Sequence, residues 1–138
     1  PGRMALIEDT SETTARELRA AADTEIFIEV GDQTGRPAGL ARRYGTLPIA
    51  PDSGAFGDFL IDYDARSATG TALLYAPHDS FELLGAIRRA ITLRTDRERW
   101  DALVVSLLAT APSWRTTATR LESLCAEAVA AAAAPLMA

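Results

Sequence analysis

The sequence predicts an α/β domain: a Rossmann-like parallel sheet flanked by helices, with a helical extension at the C-terminal end. Three observations carry this. Short apolar runs of strand length alternate with helix-forming segments through the first half of the chain, and such alternation implies parallel strands joined by helical crossovers. One unit is especially clear: Arg42-Arg43-Tyr44 ends a helix, Gly45 stops it, Thr46 to Ala50 is a short buried strand, and Pro51 to Phe56 is a small-residue loop. The second half is helical, unlike a symmetric doubly wound domain. In open α/β sheets ligands sit where strand ends and helix N-termini converge, so the loops after the strands are the place to look for chemistry.

The elements follow in order. Met4 to Ile7 is a short apolar run and reads as a buried strand. Ser11 is an N-cap, Glu12 adds first-turn acidity, and the following helix carries Ala15, Leu18 and Ala22 on one stripe. Glu25 to Val30 is the next strand, with Gly31 to Arg36 as its loop. Pro37 suits a first helical position, and Gly45 closes the short helix that it opens. Phe59 to Ile61 and Thr71 to Tyr75 read as further strands, separated by a polar, turn-like segment from Asp64 to Gly70. Asp79 or Ser80 caps a long helix with Phe81, Leu84, Ile87 and Ile91 at helical spacing. Asp96 opens another through Trp100, Leu103, Val104, Leu107 and Leu108. Pro112-Ser113 breaks it, and Ser113 caps a final helix to about Ala134. With no internal repeat and no linker, residues 1–138 read as one domain.

Composition narrows the function classes. A net charge of −5 argues against general affinity for nucleic acid or anionic membrane. All 14 basic residues are Arg; beside abundant Ala this reads as codon bias rather than as selection for phosphate contacts. The single cysteine, Cys125, allows no internal disulfide, fits a reducing, cytoplasmic setting and falls in an apolar helical pattern expected to pack in the core. No apolar run approaches the ~20 residues of a membrane span, and no apolar stretch of signal-peptide type opens the chain.

Two loops could carry chemistry. Gly31 to Arg36 precedes a helix, whose free N–H groups together with Arg36 could hold a phosphate; Gly35 would permit close approach, whereas Pro37 removes one donor. Ser53-Gly54-Ala55 ends the next strand and would lie beside it, with Asp32 and Asp52 as the nearest acids. Loop capping and turn formation account for both acids better than catalysis does. His78, the only histidine, lacks the companions of a triad or metal site. Trp100 and Trp114 fall at helical core positions, and Arg94, Arg97 and Arg99 read as a solvated face. No Walker loop, dinucleotide fingerprint, zinc pattern or nucleophile elbow is present.

Arg43-Tyr44-Gly45-Thr46-Leu47-Pro48-Ile49 resembles the "RYGT-P-V/I" motif in the C-terminal lobe of glycogen and starch synthases, two-lobed GT-B glycosyltransferases that use ADP- or UDP-glucose. The family's "TGGL-DTV-D" becomes Ser53-Gly54-Ala55-Phe56, Asp58 and Ile61 to Asp64, and Gly70 to Pro77 is similar to its "GTGF-F-P" strand. Asp96 to Trp100 and Ser113-Trp114 resemble its late helices. The departures fall on donor-binding positions. Aligned without gaps, the Glu of "FEPCGLTQ" that contacts the transferred sugar falls on Asp32, its Gly on Gly35, and its Thr near the diphosphate on Pro37. The base-stacking Tyr falls on Thr10.

The resemblance implies a partial C-terminal lobe of a GT-B fold, with the lobe's opening, its phosphate-binding Arg and Lys, and the acceptor lobe upstream of Pro1. It implies the donor-side half of a glycosyltransferase that moves glucose from ADP- or UDP-glucose to an α-glucan, with weakened or lost catalysis in this chain alone. Asp32 would be catalytic; Gly35, Arg36, Ser53, Gly54 and Ala55 would bind substrate. No metal and no cofactor beyond the nucleotide sugar is implied, and the partner would be the N-terminal lobe, another chain or a second copy. The competing reading is a non-catalytic interaction or regulatory module, and a third is nucleotide binding without transfer.

Overall fold

The computed structural model describes residues 4–8, 11–28 and 34–133. Three parallel strands, β1 (Thr24–Ile26), β2 (Leu47–Pro51) and β3 (Leu73–Tyr75), form a sheet in the order β1-β2-β3. The register sets Ile26 opposite Ile49 and Ile49 opposite Leu73. Helix α1 (Glu12–Ala21) precedes β1, α2 (Arg36–Arg43) joins β1 to β2, and α3 (Gly54–Phe59) follows β2. Helices α4 (Ser80–Thr95), α5 (Arg97–Ala109) and α6 (Trp114–Ala133) complete the described chain.

All five residues of β2 are buried, as a central strand covered on both faces requires. Leu47 and Ile49 join Leu73, Ala86, Ala90, Trp100, Leu103 and Leu107 on the face covered by α4 and α5. Ala50 joins Ala38, Phe56 and Leu60 on the face covered by α2 and α3. Each fully buried Leu or Ile of this kind contributes roughly 1.5–3 kcal/mol. Pro48 fits a central strand because the bonds of β2 to β1 run through Leu47, which donates to Asp23, and Ile49, which accepts from Phe27. By the alternation of a parallel ladder, the missing N–H of Pro48 faces the β3 side, ahead of the first β3 residue.

The turn into β2 is built locally. Gly45 has φ +76°, and a Cβ there would come within 3.0 Å of Val104 Cγ1, so both backbone and packing demand glycine. The hydroxyl of Thr46 donates to the Arg19 carbonyl at 2.6 Å, and Arg19 pairs with Glu25 at 2.9 Å, which ties the end of α1 to the sheet. The expected caps hold: Ser11 accepts from Thr14 N, Asp79 from Phe81 N and Glu82 N, Asp96 from Arg99 N, and Ser113 from Thr116 N. The polar turn holds too, with Arg66 N donating to Asp64 Oδ1.

Several expectations are overturned. Met4 to Ile7 forms no strand and is exposed; a short apolar run needs a neighbouring strand and a covering layer, and neither is there among the described residues. Phe59 ends α3, Leu60 caps it, and Ile61 lies outside any strand. The stripe on α4 is rotated from the expected one: Ala86, Ala90 and Leu93 are buried, whereas Phe81, Leu84 and Ile91 are exposed. Small Ala side chains let α4 approach β3 closely, which hydropathy alone does not register. No residue of α1 is buried. Trp114 and Cys125, expected in the core, are exposed because α6 packs little of its length against the domain. The Arg face, by contrast, is solvated as expected: Arg94, Arg97 and Arg99 are exposed and pair with Asp23, Asp101 and Asp96, and Arg94 also lies 5.5 Å over the Trp100 ring.

Candidate functional site

The C-terminal ends of β1 and β2 carry the two candidate loops. Gly35 caps α2 in the left-handed region, φ +60° and ψ 3°, and is buried. A Cβ at Gly35 would stand 3.3 Å from Phe59 Cδ1 and 3.5 Å from the Ala55 carbonyl oxygen. The positive φ would strain any side chain here, the Cβ would press on Phe59, and Gly35 lies against the Ala55 carbonyl. Two loops separated in sequence by the α2–β2 unit meet because their strands are neighbours in a parallel sheet.

Each predicted residue has a definite place, except one. Arg36 is exposed at the first position of α2, its N–H donating to Thr34 Oγ1 at 3.2 Å. Pro37 follows in the first turn, so one helix N-terminal donor is absent. Ser53 caps α3 without a side-chain capping bond, and its Oγ is buried with no partner. Gly54 is exposed and Ala55 half-buried. Asp32, like Thr10, lies outside the described residues. Asp52 is exposed, and the exposed His78 adopts φ +62° just ahead of the α4 cap.

Gly35 and Arg36 open onto a groove of about 480 Å3 that runs over Leu40, Arg43 and Phe59 to Trp114 at the start of α6. Among the described residues its lining includes Arg36 and Arg43 but neither a carboxylate nor Ser53, Gly54 or Ala55. The charged side chains of its described lining are thus all Arg, on a chain of net charge −5. Arg and exposed aromatic surface together suit an anionic or ring-bearing ligand. Among the described residues no cluster of three potential metal ligands occurs. No helix among them is long and apolar enough to cross a membrane.

Two supporting residues escaped the sequence reading. Arg42, almost fully buried in α2, donates from Nη2 to the Thr110 carbonyl at 2.5 Å and to Thr110 Oγ1 at 2.9 Å. Its guanidinium lies 5.5 Å over the Phe59 ring, its Nε has no partner, and burial pulls its pKa down. A cation at the C-terminal end of α5 meets the negative end of that helix, so Arg42 joins α2 to the Thr110–Ser113 wall of the groove. Tyr75 ends β3 with its hydroxyl donating to the Phe27 carbonyl at 2.8 Å. An Arg beside an Arg-Tyr-Gly turn reads as solvated, and a strand Tyr as core, so neither gave a signal.

No family model matches the chain. It is 32% identical over 124 residues to the glycogen synthase of Anaeromyxobacter dehalogenans, covering 90% of this chain and 26% of that protein. With the glycogen synthase of Caldicellulosiruptor saccharolyticus it shares 28% identity over 108 residues, or 78% of this chain and 23% of the relative. Among solved structures, the catalytic domain of starch synthase IV from Arabidopsis thaliana, bound to ADP and acarbose, superposes with a TM-score of 0.77 at 25% identity. That match covers 88% of this chain and 26% of the other. The chain spans about a quarter of the length of the relatives it matches. In sequence and in fold, it resembles the C-terminal lobe of glycogen and starch synthases, one lobe of the GT-B architecture.

Proposed function

We propose that this chain is the donor-side half of a glycogen or starch synthase-like glycosyltransferase. It would hold ADP- or UDP-glucose for transfer to an α-glucan supplied by an acceptor-side lobe. The observation that carries the reading is the contact of the two strand-end loops at Gly35 and Ala55, beside an Arg-lined groove. In this reading Gly35 and Arg36 face the diphosphate, the Ser53-Gly54-Ala55 loop adjoins them at Ala55 without lining the groove, and Asp32 stands near the transferred sugar. The ADP bound to the starch synthase neighbour supports a nucleotide at this kind of site.

Departure of a nucleoside diphosphate needs positive charge on the leaving oxygens and exclusion of water. Arg36 supplies part of the first. Asp32 is a methylene shorter than the family's Glu, and Pro37 offers no hydroxyl, so both changes weaken donor contacts. The chain alone is therefore read as non-catalytic, working as a single domain in the cytoplasm, where the exposed Cys125 thiol stays reduced.

Thermal melts with ADP-glucose, UDP-glucose and ADP, run on this chain with and without an acceptor-side lobe, test the reading. A ligand at roughly 100 times its Kd stabilises by about 2.7 kcal/mol, a shift of several degrees. A larger shift with the sugar nucleotide than with ADP supports donor binding, and equal shifts indicate nucleotide binding without transfer. No shift with both lobes present sinks the proposal.

A second reading has its own observation. Trp114, Leu121, Leu124 and Val129 on α6 and Phe81 and Ile91 on α4 are exposed, more apolar surface than a solitary domain usually leaves uncovered. A non-catalytic interaction module, covered by a partner chain or a second copy, accounts for that surface without any reaction.

A further inference from the structure

We propose that Tyr75 is the positioning residue of the candidate site, latching the exits of both loop-bearing strands from the third. The inference rests on the donor-site reading for its functional consequence but not for its geometry. Tyr75 ends β3 opposite Pro51, the last residue of β2. Its main-chain carbonyl accepts from Asp52 N at 2.8 Å, which fixes the residue just ahead of Ser53-Gly54-Ala55. Its side chain passes across the end of β2, and the hydroxyl donates to the Phe27 carbonyl at 2.8 Å. Phe27 is the residue just after β1, and its own N–H donates to Ile49 at 2.8 Å. One residue thus bonds to the chain on both sides of the site.

The hydroxyl is well placed to matter. β1 is only three residues long and half-exposed, so its ladder to β2 does little to hold the chain beyond it. Phe27 also rests on Phe56 of α3, ring centroids 5.4 Å apart, so its main-chain direction bears on the α3 loop as well. Tyr75 is almost fully buried, and a buried phenol finds a partner or costs stability. Burial also raises its pKa, which keeps the hydroxyl a donor well past neutral pH. Phenylalanine in its place would fill the same core volume next to Leu73, so the hydroxyl's evident use is the bond to Phe27.

Tyr75→Phe removes that one bond and leaves the main-chain bond to Asp52 in place. Amide exchange in the variant is expected to rise about tenfold or more at Ile28 and from Thr34 to Arg36, and to stay unchanged at Asp52 and across α4 and α5. Loss of a single hydrogen bond of ordinary strength corresponds to about a threefold to tenfold weaker affinity, and the Kd for ADP should rise by that much. Ile87→Val, a core change remote from both loops, should leave exchange in that segment and the ADP affinity unchanged. Uniformly faster exchange across the domain, or no increase at Ile28 and Thr34 to Arg36, overturns the proposal. If the wild-type chain binds no ADP, the donor-site reading falls, and the exchange pattern alone decides the role of Tyr75.

Discussion

Helices α5 and α6 follow one another in the chain, each opened by a side-chain cap and each carrying a Trp in its first turn or so. Asp96 starts α5 and Ser113 starts α6. Trp100 is 5% exposed and Trp114 is 82% exposed. Helical periodicity says which residues share a face. It does not say whether the chain supplies a surface for that face to meet. α5 meets β2, α2 and α4 through Leu103, Leu107 and Val104, whereas α6 touches the domain mainly near Phe59 and Pro112.

The sharpest way to break this contrast is to truncate both tryptophans. Trp100→Ala opens a cavity in the main core and should cost about 3–5 kcal/mol. Trp114→Ala should stay within about 0.5 kcal/mol, as surface changes do. Urea unfolding of the two variants gives the comparison directly. Near-equal losses would mean that α6 packs on the domain far more than its exposure indicates.

Arg42 sits at the boundary between the two regions, because it holds α2 to the corner from which α6 departs. Arg42→Ala removes the buried stem, the guanidinium over Phe59 and the donor to the Thr110 carbonyl, at an expected cost of about 2–3 kcal/mol. Arg42→Met keeps an apolar stem in the buried volume and removes a charge that pairs with no carboxylate among the described residues, so its cost should be below about 1 kcal/mol. Denaturant melts of both variants check this, and Met costing as much as Ala would make the two bonds to Thr110, rather than the packing, the main contribution.

Those residues also show what was legible in the sequence. The α2–β2 unit was read nearly to the residue, because Pro37, Gly45 and the short run after it act through local backbone geometry. The meeting of the two candidate loops was legible as well, since neighbouring parallel strands bring their ends together. The face of α4 was not: its contact with β3 selects Ala86 and Ala90 for size, while the larger Phe81, Leu84 and Ile91 dominate any hydropathy pattern. The strand expected at Met4 to Ile7 failed for a related reason, since an apolar run forms a strand only beside another. Within the site, Gly35 could be placed from its turn. The unpartnered Ser53 hydroxyl and the reach of Tyr75 to Phe27 depend on side-chain directions that no spacing encodes.

The smallest expected effect separates the two helices again through their caps. Asp96 ends α4 and starts α5 at once: its N–H donates to Leu93 at 3.1 Å and its Oδ1 accepts from Arg99 N at 3.2 Å. Asp96→Ala should cost about 1 kcal/mol of global stability, because α5 unfolds only with the core. Ser113 makes the equivalent bond to Thr116 N at 3.3 Å, but α6 is a long, Ala-rich helix with little packing to lose. Helices of that kind open locally, at a free energy below that of the whole domain. Ser113→Ala should therefore leave the urea midpoint unmoved and appear only as a few-fold faster amide exchange in the first turns of α6. A midpoint shift equal to that of Asp96→Ala would show that α6 folds as one unit with the sheet, and its exposed face would then belong to the domain's own cooperative structure.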